Sequence, residues 1–322
     1  LLILIYINDL PASADGLKFV MFADDSNLLI NGKDINQLEP LLNKHLEGVN
    51  DFFKANKLKL NAKKTKMVCF RKKNQNINLE QVKIFLDGVQ LTFEEEASFL
   101  GITIDSHLTW DSHCCKVANK ISRSSNIISR VRKMLPPESL KLLYNSLILP
   151  HIQYGLILWG NSTNQNKKRI IATQKKIVRL VSKSYFKSHT EPRMKALGML
   201  KFADLHKHQS NMLVYDCLRD LAPKEIGELF HVKTEINNYT LRTNTQNPQD
   251  IVEQKFKSKQ GKNSFRAKAP NFWNNLTNEI REAENRNIFK NQLKKLPLAG
   301  YTNHVECTNP FCRDQRYHIK SN

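Results

Sequence analysis

Two carboxylates side by side, Asp24 and Asp25, sit between the apolar runs Lys18-Phe19-Val20-Met21-Phe22 and Asn27-Leu28-Leu29-Ile30. Like charges this close raise each other's pKa unless a cation neutralises them. A hard divalent ion suits such a pair, because Mg²⁺ takes one or two protein carboxylates and completes its shell with water and substrate phosphates. The same residues also fit an exposed turn, where Asp and Ser are common. A second group with ligand chemistry is His304, Cys307, Cys312 and His318. Tetrahedral zinc takes four such ligands, but the usual Cys-x2-Cys pair is missing, which favours a cluster without metal. A third is the cationic series Lys167, Lys168, Arg169, Lys175, Lys176 and Arg179. It fits either a phosphate track or the solvated face of a half-buried helix.

The elements that must carry these residues follow from periodicity. Aromatic and β-branched residues on both sides of Asp24-Asp25 predict a β-hairpin over about 18–30, closed by Asn31-Gly32. Asp34 is placed to cap a following helix. Ile35, Leu38, Leu41, Leu42, Leu46, Val49, Phe52 and Phe53 recur at three- and four-residue steps, the pattern of an amphipathic helix over about 35–56. Residues 1–9 read as the last turns of a buried helix, Met67–Phe70 as a strand, and Arg71–Asn78 as a basic loop. Residues 84–91 predict a second hairpin around Asp87-Gly88, and 97–104 a single strand. From Asp111 the period becomes helical, with helices over about 111–135, 138–149, 165–181, 194–198 and 201–220. Residues 231–262 are polar with few apolar anchors and read as a loose connector holding one short strand near 239–243. A small aromatic-rich helical module follows.

The chain has 322 residues, a formal charge of +20 and a pI near 9.7. Residues 1–50 hold three lysines against seven carboxylates, a net of −4, so the rest carries +24. An acidic end followed by a basic body suits a polyanionic ligand. Six cysteines are few for this length, which implies free thiols in a reducing, intracellular compartment, nucleus or cytoplasm. The apolar run Leu1–Ile7 is too short to span a bilayer, so no membrane partner is expected. The adjacent Cys114 and Cys115 read as packing residues, and Trp110, Trp159 and Trp273 as core. The chain opens on Leu inside an apolar run, as a fragment would.

Phe22-Ala23-Asp24-Asp25 resembles the aromatic-x-Asp-Asp box of reverse transcriptases, in the form common among non-LTR retrotransposons. Leu4–Pro11 resembles the family's segment upstream of that box, and Leu60-Asn61-Ala62-Lys63-Lys64-Thr65 its Leu-Asn-x-x-Lys-Thr segment. Phe99–Asp105, with Leu108-Thr109-Trp110, is similar to the primer-grip strand. Pro150–Gly155 with Leu158-Trp159-Gly160 matches as well. The matches point to jockey and CR1-like elements. The resemblance implies an α+β fold: a partial polymerase palm over 1–105, built of β-hairpin, helix and short strands. A mainly α-helical thumb or connection would follow over 106–185. A helical C-terminal region over 186–230, a linker over 231–262 and a small module over 263–322 would complete the chain. It implies Asp24 and Asp25 as the catalytic, Mg²⁺-binding carboxylates. Lys64 would stand near the departing pyrophosphate; read alone, it is a solvated lysine in a run with Lys63 and Lys66. Asn61 and Thr65 would fix the local turn. Phe22 and Ala23 would line the site, and Phe99, Leu100 and Gly101 would grip the primer. RNA template, DNA primer and deoxynucleoside triphosphates are the implied partners.

The family's upstream Asp-bearing strand, its fingers and its endonuclease have no match in this sequence. The expectation is therefore a fragment of an RNA-directed DNA polymerase that is inactive alone. A non-catalytic, basic nucleic-acid-binding remnant of such an element is the alternative.

Overall fold

Alternation of buried and exposed side chains starts the first element that carries chemistry. Strand β1 (Lys18–Phe22) pairs antiparallel with β2 (Asp25–Leu29), with Lys18 opposite Leu29 and Phe22 opposite Asp25. Phe19, Met21 and Leu28 turn inward onto Leu10, Ala14, Leu17 and Val49. Val20 and Phe22 face outward, as a strand's period of two requires. The computed structural model describes residues 2–75, 77–233 and 249–302, so the zinc-type residues His304, Cys307, Cys312 and His318 and the strand expected near 239–243 lie outside the described residues. The chain divides into two compact units, 1–108 and 109–322.

In the first unit the short helix α1 (Leu2–Ile7) precedes a 3-10 turn at Leu10–Ser13. Ile7 is buried, but Leu4, Ile5 and Tyr6 are exposed, where the sequence reading had a buried helix. Apolar composition states a preference for burial without naming a partner. Helix α2 (Ile35–Ala55) starts at Asp34, whose carboxylate accepts from the Asn36 amide at 3.0 Å. Its apolar stripe serves two clusters. Val49, Phe52 and Phe53 face the β1–β2 hairpin, and Leu46 and Ile35 face Val82, Ile84, Leu86 and Leu91. Asn43 ties α2 to the second hairpin through bonds to the Lys83 carbonyl and Phe85 amide.

That hairpin, β3 (Ile84–Leu86) and β4 (Val89–Leu91), turns through Asp87 and Gly88, both at positive φ. This is the turn that matches strand twist. Two strand expectations change. Residues 67–70 form no ladder: Met67 makes one bridge to Phe93, and Arg71 N–H donates to the Ser106 carbonyl. The single strand expected over 97–104 is a hairpin, β5 (Glu96–Phe99) and β6 (Ile102–Asp105). Its turn is made by Leu100 and Gly101 at φ 47° and 78°. Leucine at positive φ is costly, so the apolar run hid the turn. The three hairpins form three separate two-stranded sheets among the described residues.

The second unit is helical. Helices α3 (Asp111–Val131), α4 (Pro137–Leu147), α5 (Leu149–Gln153), α6 (Leu156–Trp159) and α7 (Asn164–Val181) enclose a core of Ile121, Ile128, Leu140, Tyr144, Ile152, Trp159, Ile170 and Ile177. Helix α3 ends at Val131, short of the expected end at Leu135, because the Met134 and Leu135 amides both fold back to donate to the Val131 carbonyl. Helix α8 (Glu191–Leu197) begins three residues ahead of the helix expected over 194–198, and α9 (Phe202–Leu218) and α10 (Lys224–Gly227) follow. A second core gathers Met212, Tyr215, Phe230, Ile251, Trp273 and Phe289 around the helices Phe265–Asn274 and Arg286–Ala299. The stretch read as a connector contains a Val232–Ile251 bridge and a short helix, Lys259–Lys262. Arg281 is buried and donates to Asp250 at 2.8 Å. Tyr301 closes the described chain. Its hydroxyl donates to Asp204 and accepts from the Lys201 amide at 2.8 Å. No helix of the described residues is long and apolar enough to cross a membrane.

Candidate functional site

A two-residue turn, Ala23-Asp24, joins β1 to β2, with Ala23 at φ 52°. The short side chain of Ala23 tolerates this left-handed backbone better than a branched one would. Asp24 is therefore at the apex and Asp25 is the first residue of β2, opposite Phe22. All four residues are exposed. Neither carboxylate has a hydrogen-bond or ion-pair partner among the described residues, so both are free to take a ligand. The turn geometry holds them as neighbours, and the inward-facing Phe19, Met21 and Leu28 fix the hairpin that presents them.

The structure puts Lys64 in a separate turn. Asn61 Oδ1 accepts from the Lys64 amide at 3.2 Å, and Thr65 Oγ1 donates to the Asn61 carbonyl at 3.2 Å. Asn61 and Thr65 thus shape the turn, and Lys64 is exposed. Phe99 ends β5, and Leu100 and Gly101 make the β5–β6 turn, on a different sheet from Asp24. Each candidate is carried by its own local element: one hairpin for the carboxylates, one polar turn for the lysine, one hairpin for the apolar trio.

A cluster that sequence reasoning missed lies beside that last hairpin. Glu95 accepts from Arg71 at 3.2 Å and from the Ser106 hydroxyl at 2.5 Å. The Ser106 hydroxyl, followed by Arg71, holds the Glu95 carboxyl below its usual range. His107 Nδ1 lies 3.0 Å from the Arg71 carbonyl. Arg71, Lys73, Gln75, Ile77, Asn78 and His107 border a cavity of about 420 Å³. The basic loop 71–78 was the only hint, since its partners are distant in sequence.

In the second unit the basic helix α7 is half-buried. Ile170, Ile177, Val178 and Val181 pack inward, while Lys168, Lys175 and Lys176 are exposed. Lys167 bonds the Gly160 carbonyl, and burial lowers its pKa. Within 150–160, Ile152, Leu156 and Trp159 are buried. Gly155 turns the chain at φ 60°, and the Trp159 indole donates to the Tyr154 carbonyl. Cys114 is buried against Ser162, and burial raises its thiol pKa.

Residues 1–104 match the family described as reverse transcriptase (RNA-dependent DNA polymerase). Three Drosophila melanogaster proteins are similar to this chain. The probable RNA-directed DNA polymerase from transposon X-element is 24% identical over 156 residues, 47% of this chain and 17% of that protein. The probable RNA-directed DNA polymerase from transposon BS is 28% identical over 200 residues, 56% and 21%. The RNA-directed DNA polymerase from mobile element jockey is 22% identical over 211 residues, 62% and 22%. All three relatives are named as RNA-directed DNA polymerases of a transposon or mobile element. The matched portion spans about a fifth of the length of these curated relatives. No solved structure matches.

Within the matched residues, Asp24 and Asp25 suit a hard divalent cation by donor chemistry. No group of three or more His, Cys, Asp or Glu side chains that could hold a metal ion gathers among the described residues.

Proposed function

We propose that this chain is the palm half and helical C-terminal portion of an RNA-directed DNA polymerase that extends a DNA primer on an RNA template. In this reading residues 1–105 form the partial palm and 106–185 the helical thumb or connection. Residues 186–230 and 263–322 form a C-terminal region with one shared core, to which Ile251 of the intervening 231–262 contributes. The observation that carries it is the exposed Asp24-Asp25 pair at the hairpin apex inside the matched segment.

Asp24 and Asp25 would hold Mg²⁺, which when bound activates the primer 3′-hydroxyl and offsets charge on the triphosphate. Asp24, at the apex, is the principal ligand and Asp25 the weaker neighbour. Phe22 and Ala23 lie under the primer terminus, and Phe99, Leu100 and Gly101 press the primer strand. Lys64 offers a proton or a positive charge to the departing pyrophosphate. Two-metal phosphoryl transfer needs carboxylates on both sides of the reacting phosphate, and one hairpin supplies one side.

The test is primer extension on an RNA template with deoxynucleoside triphosphates and Mg²⁺. The 322-residue chain is compared with a longer polymerase restoring the upstream catalytic strand and fingers, and with that polymerase carrying Asp24→Asn. The isolated chain is expected to be inactive and the longer polymerase active. Asp24→Asn is expected to lose at least about 100-fold in rate, the scale for removing one transition-state stabiliser. Extension by the isolated chain, or full activity of Asp24→Asn, would overturn this reading.

A further inference from the structure

The loop after α7 gathers exposed cations and aromatic side chains to which the primer-extension reading gives no role. The C-terminal ends of α3 and α7 lie side by side, bridged by Arg132, whose Nη2 donates to the Ser184 carbonyl at 2.9 Å. Ser129, Arg130, Arg132, Lys133 and Lys183 border a cavity of about 600 Å³ between them. None of its four cations has a carboxylate partner among the described residues. The loop that leaves this cavity is held at both shoulders. Ser184 N–H donates to the Arg179 carbonyl at 3.0 Å, Ser182 and Ser184 share a 2.7 Å hydroxyl contact, and Arg179 Nε donates to the Ser188 carbonyl at 2.8 Å. Between the shoulders Tyr185 and Phe186 are pushed outward. Their rings pack at 4.7 Å, and Phe186 stays 64% exposed, with Lys187 Nζ 5.5 Å from its ring.

A helix C-terminus attracts cations through its dipole, which accounts for Arg130 in the last turn of α3. It does not account for Arg132, Lys133 and Lys183 beyond the helix ends. Nor does it account for an aromatic pair held in water beside them, since exposing Phe forfeits the burial that drives folding. Cations that neutralise phosphates, next to aromatic faces that accept bases, are the two components of single-strand recognition. A duplex keeps its bases stacked internally and offers Phe186 nothing.

We propose that the Lys183–Lys187 loop and the end of α3 form a binding site for single-stranded nucleic acid. One base stacks on Phe186, supported by Tyr185, and the adjoining phosphates lie over Arg130, Lys133 and Lys183. Arg132 is a positioning residue that holds the loop. The site reads phosphates and base faces, which RNA and DNA share, and nothing in it selects a 2′-hydroxyl. It stands apart from the polymerase reading, because neither primer extension nor a metal enters the test.

The test uses the full chain and fluorescent dodecamers, oligo(U), oligo(dT) and a duplex of the same length, by anisotropy in metal-free buffer. Phe186→Ala is expected to weaken both single strands by about 5- to 150-fold, the worth of one stacked base. Its salt slope and duplex affinity should not move. Arg130→Gln/Lys133→Gln/Lys183→Gln should lower the single-strand salt slope by about 2, at ~0.7 per phosphate. A 5-iodouracil dodecamer, photo-crosslinked to the unaltered chain, should mark the peptide holding Tyr185 and Phe186. Equal loss on duplex and single strands in Phe186→Ala, an unchanged slope in the triple variant, or crosslinks only elsewhere would overturn the proposal. Binding of one sugar type alone would overturn it too.

Discussion

At the scale of single residues, burial decides which groups keep their solution chemistry. His206 on α9 is buried, its Nε2 has no hydrogen-bond partner, and its ring meets Phe272 edge-on at 5.6 Å. Burial, with Lys167 adding repulsion, lowers its pKa to about 4. The folded value lies below the unfolded one, so between pH 6.5 and 4 the unfolded chain binds the extra proton. Stability is therefore full above about pH 6.5 and falls as the pH drops toward about 4. At about pH 4.5 this one group should cost about 2–3 kcal/mol relative to about pH 7.5. His113 and His208, also shifted down by burial, act in the same direction. Urea unfolding of the native chain and of His206→Gln at both pH values isolates the residue, because carboxylates such as Glu191 contribute equally to each. The pH-dependent loss should be smaller in the variant, and an identical loss would show that His206 does not carry it.

At the scale of elements, α2 organises the first unit, and at Gly48 it packs against backbone. A Cβ built at Gly48 would stand well inside van der Waals contact of the Ser13 carbonyl oxygen in the 3-10 turn. Gly48→Ala gains about 1 kcal/mol of helix propensity, but a backbone clash of this depth costs about 1–3 kcal/mol or more. The clash should win, so the variant is expected to unfold at lower urea with an unchanged m-value. A raised midpoint would mean that the turn yields freely. The same helix shows why part of the fold was legible in sequence. Its spacing from Ile35 to Phe53 and its Asp34 cap are local signals, as is the Asp87-Gly88 turn. The β5–β6 turn was not legible, because Leu100 does at positive φ what glycine or asparagine usually does. Residues 67–70 had strand propensity, but a ladder needs a partner, and Met67 alone finds one. The Asp24-Asp25 apex was visible from its flanking runs. The Lys183–Lys187 loop was not, because its cations come from two helix ends about fifty residues apart that only folding brings together.

At the scale of the whole molecule, charge is divided along the chain. Residues 1–50 carry −4 and the rest +24. Nucleic-acid affinity should therefore survive loss of the apical carboxylate. Asp24→Ala should bind RNA or DNA as well as the native chain or slightly better, with log K falling linearly against log salt. Anisotropy titrations over a range of salt concentrations measure this, and salt-independent binding would contradict it. Charge governs encounter, but Tyr301 has a different consequence for the molecule. Its hydroxyl joins Asp204 and the Lys201 amide across a hundred residues of sequence. A contact that closes so long a loop forms only after the helices between its ends have docked, since closure entropy must be met first. It then belongs to the native side of the folding barrier and acts as a latch in time: it slows the native chain's escape and leaves the rate of arrival almost untouched.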